Sequence, residues 1–184
     1  MMKYVFLILI ALLLPASAKA QTYVTKDQAN QYFQSCVTNS AQTENRFSKN
    51  SQQAFCACTA ARLTQFFSIE DMQTMTNPNA PGQRQALNKM IVDIYAPCMD
   101  APTREYHFGQ CMANPQVAAL TPNPQQLCQC AADAIGRYMQ TNGPMLFQDI
   151  LSKNPTIVDP MDALYSDPQF QQFANTQLMQ CVKR

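Results

Sequence analysis

Charge is scarce in this chain. Of 184 residues, only 13 are Lys or Arg and 12 are Asp or Glu. No block of basic residues could neutralise a row of phosphates, which argues against nucleic acid and against anionic membrane surfaces as partners. Glycine occurs four times, too few and too scattered for a loop that cradles a phosphate. Histidine occurs once, in Arg104-Glu105-Tyr106-His107-Phe108. A lone imidazole in such a run reads as a surface or capping residue, and no G-x-S-x-G nucleophile motif accompanies it. Glutamate is limited to three residues, and the acids of Glu70-Asp71 and Asp159…Asp162 fall where helix starts favour them. Nothing selects a pair of carboxylates for hydrolysis. Alternating apolar runs long enough for a sheet are also missing. The longest continuous one, at residues 5–14, is below the roughly 20 residues that a spanning helix needs.

That single run sits in an address. The opening MMKYVFLILIALLLPASAKA places Lys3 before the apolar stretch and Ala18-Lys19-Ala20 after it, the three parts of a secretory signal. Residues 1–20 are therefore expected to be a signal peptide, with no cysteine near the cleavage point to take a lipid anchor and no stable membrane insertion after cleavage. Removing them takes away two lysines, leaving 11 basic against 12 acidic residues. Solubility then rests on amides, with 23 Gln and 12 Asn in the chain.

Cysteine, by contrast, is abundant: eight residues, all beyond the signal. An even count in an exported chain reads as a disulfide framework. The order is Cys36, Cys56, Cys58, Cys98, then Cys111, Cys128, Cys130, Cys181, so C…CxC…C occurs twice. Neighbours repeat too: Phe33 and Phe108 stand three before the first cysteine, Asn39 and Asn114 three after it. Phe55, Ala60, Leu63 and Phe66 align with Leu127, Ala132, Ile135 and Tyr138 around the CxC pairs. The pattern predicts an internal duplication, with one helical module over 21–100 and a second over 101–184.

Capping signals at Thr25/Gln28, Ser68/Asp71, Asn123/Gln126 and Asp167, together with proline at 102, 124, 144 and 168, predict an all-α fold of short helices. Gly143 reads as the end of the long central helix of the second module. At about 100° per residue, the two cysteines of each CxC point about 200° apart, one with the apolar stripe and one at its margin. The geometry disfavours a bridge within CxC and has each pair bond the two outer cysteines of its module. Which cysteine takes which partner stays open.

Two sharper chemistries compete with this framework. A CxC could cycle as a thiol redox pair, because a helix N-terminus lowers a nearby thiol pKa. Alternatively, CxC with methionines such as Met72 and Met75 could handle copper. The methionines are scattered through apolar stretches, where Met is usually core filler, and the two pairs lie far apart. Neither cofactor nor metal is expected. The reading that remains is an exported, non-catalytic scaffold of the bacterial periplasm or exterior that binds a protein or envelope component. Residues 151–168 form the distinctive insertion of the second module. Its apolar members Ile157, Val158, Met161, Leu164 and Tyr165 are candidate partner-binding residues. The seam between the modules is a second candidate.

Overall fold

A computed structural model describes residues 22–42, 47–157 and 160–183. The expected signal peptide and the candidate Val158 lie outside the described residues. Within them the chain is all-α: nine α-helices and no strand beyond a single bridge between Tyr23 and Ser68. In the first half these are α1 (Lys26–Gln42), α2 (Lys49–Phe66), α3 (Ile69–Thr76) and α4 (Gln83–Lys89). The second half holds α5 (Asp100–Ala113), α6 (Val117–Leu120), α7 (Pro124–Lys153), α8 (Pro160–Ser166) and α9 (Pro168–Val182).

Local chemistry sets most of the starts. Thr25 and Gln28 exchange hydrogen bonds before α1, with the Thr25 N–H donating to Gln28 Oε1 at 2.9 Å. Ser68 and Asp71 form the same reciprocal box at α3. The Asn123 side chain accepts the Gln126 N–H at α7, and Asp167 accepts two N–H groups at 2.9 Å at α9. Each of these satisfies backbone donors that a helix start leaves without a partner.

Helix α4 does not stop at Lys89. It widens into a π-helical segment, Met90–Tyr95, and then tightens into a 3-10 turn, Ala96–Cys98. Pro97 explains the irregularity, since it has no N–H to offer the Asp93 carbonyl four residues back. Arg62 fills that place from α2, its Nε–H donating to the Asp93 carbonyl at 2.7 Å.

The long helix α7 departs from the sequence expectation. It runs unbroken through Gly143 and Pro144 to Lys153. Gly143 is there for close approach rather than termination: a β-carbon at this position would stand 2.8 Å from the Ala96 carbonyl oxygen. Gly136, seven residues earlier on the same helix face, lies against Asp100 and Arg104. The glycines thus let α7 press directly on the stretch that joins the two halves. Gly143→Ala should cost about 2 kcal/mol, because the crowded atom is backbone and cannot rotate away. Gly109, in α5, has nothing within 4 Å of the same position. Gly109→Ala should instead stabilise by about 0.5–1 kcal/mol through helix propensity. Urea melts of both variants check the contrast; a Gly143→Ala protein as stable as wild type would refute the close-approach account.

The principal core spans both halves. Ala96 and Met99 from the first join Ile135, Met139, Phe147, Ile150, Leu164 and Phe170 from the second. A smaller cluster around Leu63, Phe67 and Ile94 belongs to the first half, and another around Val117, Leu127 and Cys128 belongs to the second. Polar contacts cross the seam as well. Glu105 of α5 accepts from both the N–H and the hydroxyl of Ser48, the residue that caps α2, at 2.6 and 2.8 Å.

Candidate functional site

The eight cysteines form four bridges: Cys36–Cys56, Cys58–Cys98, Cys111–Cys128 and Cys130–Cys181. Both halves use one rule, in which the first cysteine of each CxC bonds backward and the second bonds forward. Opposed directions on the helix make this possible. Cys56 and Cys128 face inward, 1% and 0% exposed, while Cys58 and Cys130 stand at the margin, half-buried. Helix α2 is thereby tied to α1 and to the turn after the π segment, and α7 to α5 and α9.

One bridge forms a wall of an apolar pocket at the seam. Cys36 and Cys56 line it from the first half with Phe47, Phe55 and Met99; Pro102 and Met161 close it from the second. Its volume is about 260 Å³. Gln52 supplies the polar contribution, and its amino group donates to the Phe47 carbonyl at 3.2 Å. With both cysteines bridged, the lining contains no titratable group. Such a surface can bind an apolar group but holds no acid, base or nucleophile.

The insertion residues go to different places. Met161 reaches the seam pocket. Leu164 is fully buried in the principal core, and Ile157 packs against that core half-buried while its carbonyl accepts from Arg84 Nη1 at 3.4 Å. Tyr165 stacks on Tyr106 with ring centroids 4.1 Å apart and planes 7° from parallel. Helix α8 therefore lies over the bundle as a packed cover, with one of its side chains turned to the seam.

His107 is half-buried rather than standing free at the surface as its sequence neighbours suggest. Its ring meets Tyr165 edge-on at 5.7 Å and Phe170 at 5.6 Å. The Nε2 atom is enclosed and has no hydrogen-bond partner among the described residues. Burial pushes the imidazole down to a pKa of about 4, so it is neutral at physiological pH. On α5 His107 stands four residues after the fully buried Thr103, on the same face of the helix. The imidazole also lines a second cleft, between α5, α7 and α9, of about 430 Å³.

No family model, no curated protein and no solved structure matches this chain. Among the described residues, no helix is long and apolar enough to cross a membrane, and no group of three or more His, Cys, Asp or Glu is placed to hold a metal.

Proposed function

We infer that the protein is an exported binding protein of the periplasm or exterior, whose duplicated helical modules hold an apolar group of a protein or envelope partner in the seam pocket. The observation that carries this reading is the pocket lining: Phe47, Phe55, Met99, Pro102 and Met161 around a disulfide, with Gln52 the one polar side chain and its amino group turned to the Phe47 carbonyl. Desolvating such walls favours an apolar occupant by about 25 cal/mol per Å² covered. The walls are held by a bridge and by the join between the halves, so little ordering is needed on binding. Four bridges also suit an oxidising compartment. A thiol-redox or copper-handling role would have to open one of them to expose a thiolate, since every cysteine sulfur is bonded to another.

Toluene is a suitable probe for the pocket. The methyl signals of Met99 and Met161, in methionine-labelled protein with bridges intact, should shift saturably on titration. Met161→Lys should weaken that response by about tenfold or more by placing a charge in an apolar site. Absence of saturation at both methyls would remove the pocket from consideration. Two or more readily alkylated thiols, or stoichiometric copper in protein from its native compartment, would favour the redox or metal reading instead.

A further inference from the structure

The cleft between α5, α7 and α9 differs from the seam pocket in chemistry. His107, Gln110, Asn114 and Asn175 supply its polar side chains, and Ile135 and Leu178 are the larger apolar ones. No Asp, Glu, Lys or Arg lines it. A charged ligand would find no ion pair there to offset whatever hydration it gave up, which favours an uncharged one. Its volume of about 430 Å³ lies within the ~300–1,000 Å³ range of small-molecule sites.

The carboxamides are not consumed by the fold. Gln110 and Asn175 are exposed, stand on α5 and α9, and make no side-chain hydrogen bond within the described residues. The Asn114 oxygen accepts the Gln116 N–H at 3.0 Å, which leaves its amino group as a donor. A carboxamide both donates and accepts, as does a peptide unit, so Gln110 and Asn175 can pair with backbone amides in either orientation. Small and aliphatic walls at Ala131, Ala174, Ile135 and Leu178 suit short alkyl side chains. Apart from the imidazole, the lining has no aromatic face on which a sugar ring could stack.

We propose that this cleft is a second binding site, for a short uncharged peptide segment, with Gln110 and Asn175 holding its backbone amides and the His107 ring lying against it. The site is separate from the seam pocket, with which it shares no lining residue.

The chain's sole histidine makes the test direct. The Hε1 signal of His107 would be followed in the mature, untagged protein with its bridges intact, during titration with N-acetyl-alanyl-alanine N-methylamide at pH 7. A saturable shift is expected, with the Met161 methyl unmoved. Gln110→Ala and Asn175→Ala alter exposed side chains and should leave the circular dichroism unchanged while each weakens binding by about fivefold, the loss of one amide hydrogen bond. N-acetylglucosamine is the competing probe. No saturation with the peptide, saturation by the sugar alone, unchanged affinity in both variants, or a response at Met161 in place of His107 would each overturn the proposal.

Discussion

Replacing Cys130 and Cys181 together by alanine should lower the melting temperature by about 10 °C. This bridge spans 51 residues of sequence, and closing a loop of that size stabilises the fold by about 4 kcal/mol in the chain-entropy account. In a protein of this size each kcal/mol moves the midpoint by about 2–4 °C. The Cys58–Cys98 bridge spans 40 residues and should behave alike. Cys111–Cys128 and Cys36–Cys56 span only 17 and 20 residues, worth about 3 kcal/mol each by the same relation. The two shorter bridges, however, carry the fully buried cysteines Cys128 and Cys56, whose sulfurs also fill core space. Their removal adds a packing loss of about 1 kcal/mol, so all four double variants should fall within a few degrees of one another. Thermal unfolding followed by circular dichroism decides the matter. A midpoint within a degree of wild type for any pair would show that its bridge holds nothing in place.

Acidification provides the second large effect. Burial lowers the His107 pKa to about 4, whereas an imidazole in the unfolded chain titrates near 6.5. Between those values the unfolded chain binds the proton and the folded one does not, so falling pH favours unfolding. The contribution of His107 is complete above pH 6.5, declines through the interval and is gone below about 4. The full loss, reached below about pH 4, is about 3 kcal/mol. Carboxylates titrate in part of the same window, so the comparison must be with His107→Phe, which keeps an aromatic ring beside Tyr165 and Phe170. From pH 7.5 to 4.5, wild type should lose about 2–3 kcal/mol more than the variant in urea unfolding. Parallel losses would mean that the imidazole takes up its proton inside the fold as readily as outside.

Legibility in the sequence divides by distance along the chain. The boxes at Thr25/Gln28 and Ser68/Asp71 involve residues three apart, and both form as their spacing implies. The all-α class follows from such local signals. The divergence of Cys56 from Cys58 was readable from the helical period, but the choice of partner was not. A wheel gives the direction of a side chain and says nothing of which neighbouring helix passes on that side. Gly143 shows a different difficulty. A glycine that ends a helix and a glycine that admits a neighbouring carbonyl are the same letter, and only the approach of Ala96 distinguishes them. The seam pocket is harder still, because it joins side chains from Cys36 to Met161. Met161 stood out as apolar within the insertion, but so did Leu164, which goes to the core instead.

The pairing rule has a consequence for how the chain acquires its bridges. The closed segments 36–56, 58–98, 111–128 and 130–181 follow one another without overlap or nesting. If the chain is exported as proposed above, N-terminus first, its cysteines reach the oxidising side in this same order. An oxidant that joins each newly arrived thiol to the one before it, then starts afresh, produces the native set with no reshuffling. The arrangement keeps mispairing local, since the nearest wrong choice at each step is the other member of one CxC, two residues away. Eight cysteines would otherwise permit 105 complete pairings; sequential closure reduces the problem to four separate decisions.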